Sequence, residues 1–137
     1  MSRTLKRMRR KILTGLSLRG QFLRIVGRSM HPTLQPGQVI FVSTRSYRRR
    51  FPRRGEVVVA RPASAGGRLM IKRLVGLPHD TIELAGQRWQ LNEHEFFLLG
   101  DDARASTDSR SFGPVTLKEL VGPVPLSLWP WRRVSVS

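Results

Sequence analysis

The chain contains no cysteine and a single tyrosine, and its first 54 residues contain no aspartate or glutamate. Without cysteine there is no disulfide framework, no thiolate metal site and no cysteine nucleophile. Long apolar runs are also missing. A spanning helix requires roughly 20 consecutive apolar residues, whereas the uncharged stretch before Arg19, residues 12–18, is interrupted by Thr14, Gly15 and Ser17. Neither an apolar core nor a small-residue cleavage site of a signal peptide is present. The expectation is a chain with no transmembrane helix, either cytoplasmic or held peripherally at a membrane.

What is present is positive charge, unevenly placed. Residues 1–54 carry 15 basic side chains, while residues 55–137 carry 10 basic and 9 acidic ones, giving +16 over 137 residues. Such a balance points to a polyanionic partner, nucleic acid or anionic lipid, without choosing between them. A hydrophobic content of 39% with 12 Gly and 9 Pro fits one loop-rich domain with a modest core.

Along the chain, Leu5, Met8, Ile12 and Leu16 recur at three- and four-residue spacings among Arg3, Arg7, Arg10 and Lys11. The spacing predicts a basic amphipathic helix or arm over residues 3–19, suited to an anionic membrane surface. Beyond Gly20 the periodicity becomes that of strands, over residues 22–26, 39–42, 56–60, 69–77 and 95–99. A hairpin is predicted over 81–91, turning at Ala85-Gly86-Gln87, and at most one helical turn over 117–120. Short strands with little helix indicate a mainly antiparallel β domain. The division expected is an arm over 1–21 and a globular domain over 22–137.

Three segments concentrate reactive side chains: Gly27-Arg28-Ser29-Met30-His31-Pro32-Thr33-Leu34, Ile71-Lys72-Arg73-Leu74-Val75-Gly76-Leu77-Pro78-His79-Asp80, and Gly100 to Arg110. In an alternating strand Met70, Lys72 and Leu74 share one face. An ammonium on an apolar face loses hydration, which lowers its pKa and favours the neutral amine. A neutral lysine amine beside a serine is one way to activate that serine as a nucleophile without histidine. The competing reading is a lysine that reaches past an edge strand to solvent.

Together, in this order, the three segments resemble the type I signal peptidase family of serine endopeptidases with a Ser/Lys dyad. The first matches that family's Ser-Met-x-Pro-Thr-Leu, the second its Lys-Arg-x-x-Gly-Leu-Pro-x-Asp, and the third its Gly-Asp-Asn-Arg-x-x-Ser-x-Asp-Ser-Arg-x-x-Gly. The resemblance covers about residues 27–122. It implies a signal-peptidase-like antiparallel β domain (a β-clip or pseudo-barrel) that removes an N-terminal signal or propeptide from a precursor after small residues. By the same resemblance Ser29 is the nucleophile, Lys72 the general base, and Ser106 the hydroxyl that orients the lysine. Asp108 and Arg110 would brace the third loop, with Arg73 among the supporting residues. Ile25, Met30, Leu34 and Ile71 would line the pockets before the cleaved bond, and the substrate backbone would join as an extended strand.

The sequence also departs from the family pattern. Gly27 stands where some members carry a hydroxyl for the oxyanion, so that charge would rest on backbone N–H, chiefly that of Ser29. Asp102-Ala103 replaces Asn-Arg, and His79 replaces the usual Gly. Ser106-Thr107-Asp108-Ser109-Arg110 followed by Phe112-Gly113-Pro114-Val115 resembles the short nickel-type superoxide dismutase maturation proteases. The substrate classes this leaves open are an export signal, a nickel-enzyme propeptide and a pilin.

Other chemistries are weaker. His31, His79 and His94 have no metal-ligand spacing such as H-E-x-x-H, and no metal or cofactor is expected. Asp101 and Asp102 are expected to pair with Arg104 or Arg110, and Gly66-Gly67 to form a turn. Six arginines within residues 45–54, with Tyr47 and Phe51 interleaved, would suit a non-catalytic module binding an anionic membrane or nucleic acid. No helix-turn-helix, zinc-finger or RNP pattern accompanies them, so nucleic acid is not an expected partner.

Overall fold

Val57 to Ala60 are all fully or almost fully buried, because this strand lies between two apolar clusters. Side chains alternate across a strand, so Val57 and Val59 enter one cluster with Leu23, Ile25, Met30, Leu34, Ile40 and Val42. Val58 and Ala60 enter the other, with Leu74, Phe96, Leu98 and Val115. These relations come from a computed structural model that describes residues 12–17, 20–129 and 131–134.

The strands are β1 (Ile12–Ser17), β2 (Gly20–Arg24), β3 (Val39–Ser43), β4 (Val57–Ala60), β5 (Met70–Gly76) and β6 (Thr81–Leu84). They continue as β7 (Gln87–Gln90), β8 (Phe97–Leu99), β9 (Leu120–Pro123), β10 (Leu126–Trp129) and β11 (Trp131–Arg133), and the one α-helical turn described is α1 (Ser109–Phe112). One sheet runs β1-β2-β3-β10-β11 and a second runs β8-β5-β4-β9, while β6 and β7 form a separate hairpin. Every strand pairing described is antiparallel, as the short strands and scarce helix predict.

The hairpin turn is two residues, Ala85 and Gly86, both with positive φ, the geometry that suits the twist of the flanking strands. At Gly20 a Cβ would come within 2.3 Å of the Phe41 ring and 2.4 Å of the Val42 carbonyl oxygen. Only glycine lets β2 lie this close to β3, where Phe22 and Phe41 pair with ring centroids 5.5 Å apart.

The N-terminal expectation needs correction. Of the helix predicted over residues 3–19, residues 12–17 are strand, paired with β2 through Ile12↔Leu23 and Ser17↔Gly20. The β-branched Ile12 and Thr14, together with Gly15, favour that outcome, since glycine alone costs a helix about 1 kcal/mol relative to alanine. Residues 1–11 lie outside the described residues.

The arginine-rich loop is less free than its composition suggests. The Tyr47 hydroxyl donates to Glu56 Oε1 at 2.9 Å, Arg50 pairs with the same carboxylate, and Arg54 pairs with Asp80. Phe51 packs on Phe96 with centroids 5.5 Å apart. Tyr47 and Phe51, read from sequence as stacking on bases, are thus engaged within the domain. Burial pushes the Tyr47 phenol up, with Glu56 adding to the effect.

Candidate active site

β5 carries Lys72 opposite Val58 on β4. Directly opposed residues share a sheet face, so the lysine projects on the side of the second apolar cluster and is 5% exposed. Burial holds its pKa below the ordinary lysine value. Asp108 opposes that shift and Arg110 reinforces it. The buried lysine, rather than the one reaching to solvent, is what the structure contains.

A cleft of about 630 Å³ runs beside this strand. Its lining includes both Ser29 and Lys72, with Ile25, Met30, Ile71 and Thr107. Ser29 follows β2 in a loop held by the bond from Ile25 N–H to the Gln38 carbonyl at 2.7 Å and from Gly37 N–H to the Ile25 carbonyl at 2.9 Å. Leu34 is not in the lining; it is 1% exposed within the first core cluster. The pairing with β8 begins only at Arg73↔Leu99. Met70, Ile71 and Lys72 therefore have a strand on one side, β4, and none on the other among the described residues. Such an edge can accept an added extended chain.

The third loop meets the Ser29 loop: the Asp102 N–H donates to the Ser29 carbonyl at 2.8 Å. Gly100 sits between Ser29 and Ser106: a Cβ there would meet Ser106 Oγ at 2.2 Å and the Ser29 carbonyl at 2.8 Å. Ser106 Oγ donates to Asp108 Oδ2 at 2.9 Å, and the same oxygen accepts the Gly100 N–H at 2.9 Å. Arg110 clasps Asp108 with Nε on Oδ1 at 2.8 Å and Nη2 on Oδ2 at 2.7 Å. Burial of Asp108, 1% exposed, would raise its pKa. The bonds from Arg110, Gly100 and Ser106 outweigh burial and keep it below the usual carboxylate range.

A second brace joins all three segments. Thr33 Oγ1 donates to Asp101 Oδ2 at 2.5 Å, and Arg73 donates to Asp101 by Nε at 3.1 Å and Nη2 at 2.6 Å. Arg73 Nη2 also reaches Thr33 Oγ1 at 3.3 Å, and Nη1 the Gly55 carbonyl at 2.9 Å. Asp101 therefore pairs with Arg73, not with Arg104 or Arg110 as its sequence neighbours suggest. Asp102 instead accepts the Arg104 N–H at 3.2 Å and caps a 3-10 turn over Ala103–Ala105. That cap, with the bond from Arg110 to the Ala103 carbonyl at 3.3 Å, supports the loop in which Asp-Ala replaces Asn-Arg.

Gly27 has φ +90° and is exposed, with nothing near a Cβ. The backbone, not crowding, disfavours any side chain there. His79, at φ +74°, occupies a left-handed position, which explains the glycine usual in the pattern. Among the described residues no group of three or more metal-ligating side chains occurs. Sequence reasoning did not single out Arg61, Arg68 and Thr107, which also line the cleft. Arg61 and Arg68 lie outside the three motifs, and only the fold brings the β4–β5 connection to the cleft.

Comparison with known proteins agrees in kind. The profile of the family described as signal peptidase, peptidase S26, matches residues 12–95 and 84–129. The chain is 28% identical to "Signal peptidase I" of Leptolyngbya laminosa, over 80% of this chain and 69% of that protein. It is 34% identical to "Mitochondrial ATP-independent inner membrane protease subunit 1b" of Arabidopsis thaliana, over 77% and 68%. It is 30% identical to "Mitochondrial inner membrane protease subunit 1" of Homo sapiens, over 76% and 66%. The chain thus spans about two thirds of the length of each.

Proposed function

The chain belongs to the signal peptidase family of serine endopeptidases, peptidase S26, and from that premise we propose that it cleaves precursor proteins through a Ser29/Lys72 dyad. The observation that carries this reading is a lysine with lowered pKa, 5% exposed, in the same cleft as the half-buried Ser29. Lys72 in its neutral form takes the Ser29 proton as Oγ attacks the scissile carbonyl. The oxyanion rests on backbone N–H groups, chiefly that of Ser29, since Gly27 offers no hydroxyl. The protonated lysine gives its proton to the leaving amine. A water deprotonated by Lys72 then releases the acyl group from Ser29. Ser106, fixed by its bond to Asp108, orients the lysine amine.

The substrate enters as an extended strand along the open edge of Met70–Lys72. Ile25, Met30 and Ile71 leave room for small side chains before the cleaved bond. Both an export signal and a propeptide, as the Ser106–Arg110 pattern suggests, meet that requirement. Incubating an Ala-x-Ala-containing peptide with the protein, with Ser29→Ala and with Lys72→Ala tests the dyad. Cleavage by the first alone is expected, and full activity of Lys72→Ala would overturn the mechanism.

The same reading places the enzyme peripherally on an anionic membrane. Arg45, Arg48, Arg49 and Arg53 are exposed beside Phe51, which is 56% exposed, and residues 1–11 add six basic side chains. Among the described residues no helix is long and apolar enough to cross a membrane. Binding to phosphatidylglycerol vesicles that weakens with salt, and weakens on deleting residues 1–11, is the expected result.

A further inference from the structure

The cleft that holds Ser29 and Lys72 continues well past them. One wall follows the chain back from Ser29 through Gly27, Val26 and Ile25 to Arg24, and the other back from Lys72 through Ile71, Met70 and Leu69 to Arg68. Arg61, directly after β4, and Gly66-Gly67, from the loop between β4 and β5, line the same cleft. Arg68 stands four residues from Lys72 and Arg24 five from Ser29. In extended chain that is at most about 13–18 Å.

The charge of the cleft lining is of one sign. The lining holds Arg24, Arg61, Arg68 and Lys72 and no aspartate or glutamate. Among the described residues, two of the arginines are held by backbone carbonyls: Arg24 Nη1 by Gly37 at 3.0 Å, and Arg61 Nη1 by Gly67 at 3.2 Å. The nearby Glu119 carboxylate is occupied by the N–H groups of Ala63 and Thr116. Arg68 is exposed and forms no ion pair with a described residue. Guanidinium forks tethered at one edge keep further N–H donors free for a carboxylate.

We infer that Arg61 and Arg68, assisted by Arg24, form a specificity subsite for an acidic side chain four to five residues before the cleaved bond. This rests on the reading that Ile25 and Ile71 face the small residues preceding that bond, which puts the arginines upstream of them. The substrate class is then a precursor whose segment ahead of the small-residue site carries Glu or Asp, not an uncharged or basic one. Exposed pairs of this kind are each worth a modest factor, so the combined preference expected is roughly three- to thirtyfold and falls with added salt.

The test uses the full-length chain and two fluorescent peptides that differ only in Glu or Gln at the fourth and fifth positions before an Ala-x-Ala site. Affinity is read by anisotropy on Ser29→Ala, so the result does not depend on turnover, and cleavage is read in parallel on the unaltered protein. The Glu peptide should bind at least threefold more tightly, Arg61→Gln/Arg68→Gln should level the two, and Arg68→Glu should reverse the order in favour of the Gln peptide. Equal affinity for the Glu and Gln peptides overturns the subsite. So does equal affinity together with loss of phosphatidylglycerol vesicle binding in Arg61→Gln/Arg68→Gln, which would assign these arginines to lipid headgroups. Preferential binding without cleavage would keep the subsite and remove the dyad reading instead.

Discussion

Arg73 and Asp101 meet as a two-pronged ion pair, Nε on Oδ1 at 3.1 Å and Nη2 on Oδ2 at 2.6 Å, with the arginine side chain only 7% exposed. Breaking one side of a buried pair leaves the other charge uncompensated, which typically costs about 3–5 kcal/mol. Asp101 retains 18% exposure, so about 3 kcal/mol is expected for Asp101→Asn in urea unfolding. Arg73→Met combined with Asp101→Asn should cost less than the two single changes added together, because the second removal strands nothing further. Additive losses would mean that the pair is not coupled.

Lys72 makes two pH statements of opposite use. Its lowered pKa keeps a neutral amine available below the ordinary lysine value, so kcat/KM should rise through that lowered pKa and level off below pH 10.5. For stability the sign reverses. Between the folded value and 10.5 the unfolded chain binds more protons, so the burial penalty is complete below the folded pKa and fades as the pH rises. Lys72→Met should be more stable than the parent at neutral pH, and the gap should narrow towards pH 10. A gap independent of pH would show that the lysine is not buried as a charge.

Gly100 stands where the first and third segments approach each other closely. Alanine there would place a Cβ 2.2 Å from Ser106 Oγ and 2.8 Å from the Ser29 carbonyl, closer than any contact can remain. The expected outcome is a loss of about 1–3 kcal/mol and at least a tenfold fall in turnover. Gly100→Ala combined with Ser106→Gly relieves the side-chain clash but not the clash with the Ser29 carbonyl, so it should recover stability only in part. Unimpaired cleavage by Gly100→Ala would show that the loop can shift without disturbing the site.

How much of this was legible in the sequence follows from the range of the interactions. β-branched runs such as Val57-Val58-Val59 and the Ala85-Gly86 turn announce themselves locally, and they became β4 and the β6–β7 hairpin. The tie of Asp108 to Arg110, which spans two residues, was implied by the family resemblance and not by the local pattern. The pairing of Asp101 was not legible, because its partner Arg73 lies 28 residues away while two arginines stand much nearer in sequence. Leu34 was placed in the pocket by motif position, although its burial within the core depends on β3 and β4 packing over it. For residues 12–17 the helical spacing of apolar residues lost to strand pairing with β2. The basic lining of the cleft was invisible, since Arg24, Arg61 and Arg68 sit on separate segments that only the fold gathers.

Asp108 predicts the acid limb of the stability curve. Its carboxylate takes five hydrogen bonds, from Gly100 N, Ser106 Oγ, Arg110 N and the Arg110 guanidinium through both Nε and Nη2, and its pKa lies below the ordinary 3.8 despite burial. The stability this contributes is full above 3.8 and is lost as the pH falls through the lower folded value. Asp101 and Glu56, also held low by arginine partners against burial, add to the same limb. Asp108→Asn keeps the shape and some of the hydrogen bonds but loses the charge facing Arg110, at an expected cost of about 3 kcal/mol at neutral pH. Below pH 4 the parent should lose stability more steeply than Asp108→Asn, so the two curves converge in acid. Ser106→Ala removes one donor to this carboxylate and should cost about 1 kcal/mol, while slowing turnover less than Lys72→Ala does. If the parent and Asp108→Asn curves ran parallel from pH 7 to pH 2, the carboxylate would not be the group that holds the third loop in place.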